Sequence, residues 1–411
     1  MSAVVSTVRA AVPSARRPSA GDLCLPVPSI SPETDNAAVL RLFSQHKGLV
    51  GLPVVENGRP FGLINRHIFL SQMARPFQWE LYARKSCIAF MDKSPLVVDA
   101  KTSIDEMVDL AVAYGDKSLA DGFIITSSDH YQGIGLGIDL VRAVSEMHAR
   151  QHHQIMQSIE YASVIQGAML ATSRQEMAAT LNDWCLTWEP RDHVGGDYYH
   201  FTRHDRGWLA VIVDCTGHGV PGAFMTLIFS SALERALALH GPSHPGVLLQ
   251  EINGHIKDAL GQIADRARGT QNSNDGCDAI LVAMDTSEGR LRWSSARMPA
   301  FILSAATGEL ASLTGDRMGA GYTETPRDYV WPTHEKAMEP GDVFFTTTDG
   351  LTDQIGGERR IMYGKRRLQG LLKRCRELPM PALGEELLCE HRRYQDSEIR
   401  RDDLTFWGWR A

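Results

Sequence analysis

The chain has 411 residues, 43% hydrophobic and 22% charged, enough to bury the cores of two or three domains. Its net charge of −7 gives no general attraction to nucleic acid or to an anionic membrane, and no basic stripe reverses the sign locally. No apolar run approaches the roughly 18–20 residues of a membrane helix, and seven widely spaced cysteines without a C-x-x-C pair read as reduced thiols of a cytoplasmic protein, not a zinc site.

Residues 1–21 are rich in Ala, Ser, Arg and Pro, with no acid before Asp22; the composition resembles a transit peptide and equally suits an ordinary disordered tail, the reading adopted here. From 22 to 143 the chain reads as two similar halves. Ser31-Pro32-Glu33-Thr34 precedes Ala37, Val39, Leu40 and Leu42; Thr102-Ser103-Ile104-Asp105 precedes Met107, Val108, Ala111 and Val112. Both are helix starts followed by helical spacing. Strand-like text follows each, Gly51–Val55 and Gly122–Thr126, then a turn and a second strand, Phe61–Ile64 and Gln132–Gly135. Aligning Gly62 with Gly133 makes this a repeat.

A long helix is predicted from near Asp139, crossing a connecting region over 144–182. Ile155, Ile159, Ala162 and Met169 form one apolar stripe, with Gln166 polar upon it. That stripe suits either pairing with a second copy of the helix or packing on its own domain.

From 183 to 411 the texture becomes α+β. Strands are predicted at Trp208–Cys215, Ala279–Asp285, Leu291–Ser294, Ala300–Ser304, Asp342–Thr348 and Leu404–Trp409. Helices are predicted at Val220–Leu239 and Gly246–Leu260. Four acidic motifs punctuate this region: Gly195-Gly196-Asp197-Tyr198-Tyr199, Val213-Asp214-Cys215-Thr216-Gly217-His218-Gly219, Thr348-Asp349-Gly350-Leu351-Thr352-Asp353 and Arg401-Asp402-Asp403-Leu404-Thr405. Carboxylates at strand ends beside glycines suit hard, oxygen-ligated cations such as magnesium or manganese. A single Asp-Gly is more often only a turn; four such motifs in one domain point to a metal site. His218, between two glycines, reads as a structural turn residue or a general acid.

In order and separation, these motifs resemble those of the SpoIIE/RsbU-type bacterial phosphatases, which belong to the metal-dependent (PPM, type 2C) serine/threonine protein phosphatases. The resemblance covers about residues 155–410. It implies an αββα sandwich with two Mn or Mg ions at one end, Asp214 bridging them. The Cys215 carbonyl would complete one site, and Asp349 with Asp402 the other. Asp197 would contact the first ion or its water, and Asp403 is an alternative to Asp402. The implied nucleophile is a metal-bridging hydroxide, with Asp197, Asp214 and Asp349 as the catalytic set. The implied substrate is a phosphoserine or phosphothreonine protein, of the STAS-type anti-sigma-factor antagonists. Where the family often reads Asn-Ala-Gly-His/Asn-x-Pro, this chain has Ser294-Ser295-Ala296-Arg297-Met298-Pro299, which offers Arg297 either as a contact for the substrate phosphate or as the partner of a nearby surface acid. Asp275 and Asp278 read as a loop charge and a strand-start residue.

The front half resembles a pair of CBS domains, carried by Leu52-Pro53-Val54-Val55-Glu56-Asn57-Gly58, Gly62-Leu63-Ile64 and Gly133–Leu140. Such pairs often bind adenosine-containing ligands through an Asp on the ribose. Asp139 stands at that position in the second half and Ile68 in the first, which leaves room for one adenine nucleotide or for a structural dimer module. The expected protein is thus a homodimeric phosphatase regulated by its CBS-like module. The competing readings are a catalytically inactive phosphatase-fold binding protein and an adenine-nucleotide-responsive scaffold, separated by divalent-ion binding and by nucleotide thermal shift.

Overall fold

The computed structural model describes residues 18–262, 274–313 and 315–411. Most of the expected tail, and part of the loop before Asp275, lie outside the described residues. The chain divides into two units, Met1–Ile155 and Met156–Ala411.

The first unit repeats one motif. In the first half, α1 (Asn36–Gln45) leads to the hairpin β1 (Gly51–Glu56) and β2 (Arg59–Asn65), then α2 (Arg66–Met73) and a short α3 (Gln78–Tyr82). In the second, β3 (Val97–Asp99) and α4 (Ile104–Tyr114) are followed by α5 (Asp116–Asp121) and the hairpin β4 (Phe123–Ser127) and β5 (His130–Gly135). Asp35 and Ser103 cap α1 and α4, their side chains accepting from Ala38 N and Glu106 N. Each hairpin pairs in parallel with the segment before its helix, through Ile30 with Val54 and through β3 with β4. Gly62 and Gly133 are equivalent because each admits a crossing chain. A Cβ on Gly62 would meet Met91 Sδ at 2.2 Å, and one on Gly133 would meet Leu25 O at 2.3 Å.

Helix α6 (Gly137–Thr180) starts two residues earlier than the sequence suggests and runs without a break through Gly167. Its face in the second unit is set by Gln166, Leu170, Ser173 and Met177, all buried. Tyr161, Val164 and Ile165 remain exposed.

The second unit is built on two antiparallel five-stranded sheets. One contains β7 (Asp197–His204), β8 (Gly207–Cys215), β9 (Cys277–Asp285), β10 (Arg290–Ala296) and β13 (His334–Ala337), in the order β13-β10-β9-β8-β7. The other contains β6 (Trp184–Glu189), β11 (Ala300–Leu303), β12 (Leu310–Leu313), β14 (Val343–Thr347) and β17 (Leu404–Arg410), in the order β12-β11-β14-β17-β6. A small hairpin, β15 (Ile355–Gly356) and β16 (Ile361–Met362), follows the short α9 (Asp349–Asp353).

Strand periodicity sorts the side chains between layers. Phe344 and Trp407 point into the core between the sheets, while their neighbours Phe345 and Phe406 pack under α10 (Gly364–Arg374) and α11 (Met380–Gln395). Trp208 closes the space between sheets with edge-on contacts to Trp407 and Trp409, at centroid distances of 5.9 and 5.0 Å. Helices α7 (Gly219–His240) and α8 (Pro245–Leu260) cover the other sheet, completing the αββα layering. By length and composition α7 is apolar enough to cross a membrane, contrary to the sequence-based expectation. Its Phe229, Ala232, Leu233 and Ala236 are spent on the core instead.

Candidate active site

At one end of the sandwich the sheet register sets acids side by side. Asp197 on β7 pairs with Asp214 on β8, and Asp214 pairs with Asp278 on β9. Directly opposite residues point to the same face, so three carboxylates form a row across three strands, an arrangement that is unfavourable unless compensated. From the other sheet, β14 delivers Thr348 and Asp349, and the start of β17 delivers Asp402 and Asp403.

Thr348 ties the two sheets together. Its hydroxyl donates to Asp197 Oδ2 at 2.9 Å and accepts from Thr405 N at 3.0 Å. The other Asp197 oxygen, Oδ1, is buried without a hydrogen-bond partner. Burial, followed by the charge of Asp403, pushes the Asp197 carboxyl far above the ordinary range, although Thr405 and Thr348 partly offset this. Asp214 is raised likewise, first by burial and then by Asp197, Asp349 and Asp402. Asp349 has an open outer side, but lost hydration and then repulsion from Asp402 and Asp353 raise it to about 6. Asp278 also rises to about 6, through burial, with Arg297 opposing the shift.

Asp403 has a different task. Its Oδ1 accepts from Arg191 N and its Oδ2 from Gly196 N, both at 2.6 Å, so the carboxylate organises the 191–196 loop. Asp402 carries no such load among the described residues; its Oδ1 accepts the next residue's N–H at 2.9 Å. Close approach explains the glycines of the motifs. A Cβ on Gly350 would lie 1.9 Å from Asp403 O, and one on Gly196 would lie 2.8 Å from Cys215 O and 2.4 Å from Gly217 O. Cys215 is buried at the end of β8, its carbonyl against Gly196.

Arg297 sits at the rim with a left-handed backbone, φ 61°. Its guanidinium lies 3.0 Å from Glu324 Oε1 and 3.8 Å from Asp278 Oδ1, and stacks 4.7 Å from the Tyr322 ring. His218 caps the loop, with Nδ1 3.0 Å from exposed Asp192. In the first unit, Asp139 forms an ion pair with Arg142 at 3.1 Å, on the first turns of α6.

Two residues were not read as part of the site from sequence. Asp278 is indeed a strand-start residue, but register places it in the acid row. In the sequence Gln166 is only a polar interruption of an apolar stripe; in the fold its amide donates to Gly195 O at 2.8 Å and accepts from Gly195 N at 3.1 Å. That interruption was the signal available.

Among the described residues no lysine or arginine compensates Asp197 or Asp214, and the buried, orphaned Oδ1 of Asp197 beside the half-buried Asp214 fits a divalent cation. Among the described residues no group of three or more His, Cys, Asp or Glu side chains is positioned to hold a metal ion as it stands. The cluster is therefore a set of neighbouring carboxylates that an ion would draw together.

This fold, with acids converging from two sheets, defines a PP2C-like phosphatase-type domain. The chain belongs to the family described as Stage II sporulation protein E, whose model matches residues 204–410. A CBS domain model matches residues 20–75. The SiaA-PP2C domain of Pseudomonas aeruginosa is 31% identical and superposes with a TM-score of 0.57, covering 64% of this chain and 99% of that one. The phosphoserine phosphatase RsbU of Bacillus subtilis (strain 168) is 24% identical over 201 residues, 49% of this chain and 55% of RsbU. The matched region thus spans only about half the length of that curated relative.

Proposed function

We infer that this protein is a metal-dependent serine/threonine protein phosphatase acting on a phosphorylated regulatory protein. The observation that carries the reading is the Asp197–Asp214–Asp278 row facing Asp349 and Asp402, with Asp197 Oδ1 buried and unpartnered. In this reading Asp214, Asp349, Asp402 and the Cys215 carbonyl would hold two Mg or Mn ions, with Asp197 contributing to the first. Asp402 is preferred to Asp403, whose two oxygens are already used by backbone amides. When bound, such ions neutralise the acid row, activate water and polarise the phosphoryl group for in-line attack. Arg297 is the candidate phosphate contact, and substrate would displace Glu324 from its guanidinium.

The finer assignments rest on resemblance. RsbU is named a phosphoserine phosphatase, which supports a phosphoserine substrate here; an STAS-type target is the corresponding proposal. The exposed Tyr161, Val164 and Ile165 on α6 support a homodimer. Control by the CBS-like unit is proposed with Asp139 as the ribose contact for an adenine nucleotide, which would compete with Arg142.

The test is hydrolysis of an aryl phosphate and a phosphoseryl peptide by the full chain, with Mn, with Mg and with chelator. Metal-dependent release of phosphate is expected. Turnover that persists in chelator, or is absent with both ions, would remove this assignment.

A further inference from the structure

Beside the acid row lies a cleft of about 420 Å³ whose lining includes Arg297, Phe301, Ser312, Asp316, Arg317 and Lys365. Its electrostatics differ from those of the chain, which is net negative. The one carboxylate in the lining, Asp316, is engaged: the Tyr329 hydroxyl lies 2.8 Å from each of its oxygens, and Oδ1 also accepts from Met318 N at 3.1 Å. Arg317 and Lys365 are exposed, and among the described residues neither has a carboxylate within ion-pair distance. Against the single carboxylate of Asp316, whose neutral donors do not cancel its charge, Arg317 and Lys365 leave the cleft with an excess of positive charge. Lys365 also begins the run Lys365-Arg366-Arg367 at the start of α10.

The position of the cleft gives this charge a use. Arg297 belongs both to its lining and to the rim of the acid row, with Nη1 3.8 Å from Asp278, the strand partner of Asp214. The backbone holds that junction firmly. Arg297 N donates to Asp316 O at 2.8 Å, Asp316 N donates to Ser295 O at 2.8 Å, and Arg297 Nε donates to Arg317 O at 2.9 Å. A chain segment whose phosphorylated residue enters the acid centre past Arg297 would lay its neighbouring residues along Arg317 and Lys365. An acidic substrate is otherwise repelled by the carboxylates of the centre, so a cationic approach beside it both attracts the partner and fixes its direction.

We propose that the Arg297–Arg317–Lys365 cleft is a docking subsite for acidic residues flanking the phosphoserine or phosphothreonine of the protein substrate. The proposal rests on the phosphatase reading of the adjoining site and adds a substrate preference to it. Arg317 and Lys365 act in binding and not in the chemistry.

The experiment compares p-nitrophenyl phosphate with two phosphoseryl peptides, one with Asp/Glu flanks and one with Asn/Gln flanks, using the full chain with Mn. The parent is expected to show a several-fold lower KM for the acidic peptide, a preference that fades as salt rises from ~0.05 to ~0.5 M. Arg317→Glu/Lys365→Glu should raise the KM for the acidic peptide about five- to tenfold, as two surface charges are reversed, with kcat within about twofold. Turnover of p-nitrophenyl phosphate should be unchanged, which also serves as the folding control. If the reversed pair loses that turnover, Arg317→Gln/Lys365→Gln decides, with a smaller rise expected. Equal KM values for the two peptides on the parent, or an unaltered acidic-to-neutral ratio in the variants, would overturn the docking proposal alone. Absence of metal-dependent turnover on all three substrates would instead defeat the phosphatase reading.

Discussion

Asp197 in the second unit and Asp139 in the first were both marked by motif, yet the fold treats them in opposite ways. Asp197 is buried among other acids with one oxygen unpartnered, whereas Asp139 is partly solvated and paired with Arg142 one turn along its helix. A buried, repelling carboxylate is costly without a ligand, while a solvated ion pair is nearly neutral in free energy. The first arrangement therefore calls for a cation; the second only permits a ligand.

The sharpest way to break this contrast is to neutralise one acid from each unit. Asp214→Asn should lower metal-dependent kcat on p-nitrophenyl phosphate by about a thousandfold, and Asp139→Asn should leave it within about twofold. Comparable losses in both variants would erase the distinction.

Asp403 tests whether every acid of the centre serves the cation. Asp403→Ala strips one buried and one part-buried amide of their acceptor and should destabilise the chain by about 2–4 kcal/mol in chemical denaturation, with or without metal. A loss seen only in the presence of metal would make Asp403 a ligand after all.

Asp349 supplies a pH signature. Its folded pKa is raised to about 6, so in chelator its contribution favours the fold below the unfolded value near 4 and is lost as pH rises through about 6. Asp349→Asn in chelator should therefore raise Tm at pH 7 by ~2–4 °C, equivalent to about 1 kcal/mol after discounting for its solvated side. At pH 4 the gain should vanish, and saturating Mn should reverse its sign at pH 7.

The smallest effect concerns the first unit. Asp139→Ala removes one exposed ion pair and should alter stability by less than about 0.5 kcal/mol. If an adenine nucleotide shifts the parent's Tm, the shift should disappear in this variant.

The long strands of the second unit were legible because their apolar runs end at turn residues. The predicted Trp208–Cys215 and Leu404–Trp409 fall within one residue of β8 and β17 at either end. Edge strands were not legible: β12 and β13 carry exposed or half-buried residues and lack the alternation a buried face imposes. The whole of β6 and of β7 is also missing from the sequence reading, and for β7 the glycines and the Asp of the motif mask the strand that follows.

By itself the sequence determined the four acidic motifs, their order, the glycines beside them and the repeat marked by Gly62 and Gly133, because each is a local pattern of residue types. Only the tertiary structure decided that Asp278 stands in line with Asp214, that Asp403 is consumed by two backbone amides, that Gln166 reaches Gly195, and that Arg317 and Lys365 face one cleft. Those facts depend on strand register and on contacts between segments far apart in the chain. No local pattern encodes which of two adjacent carboxylates turns inward.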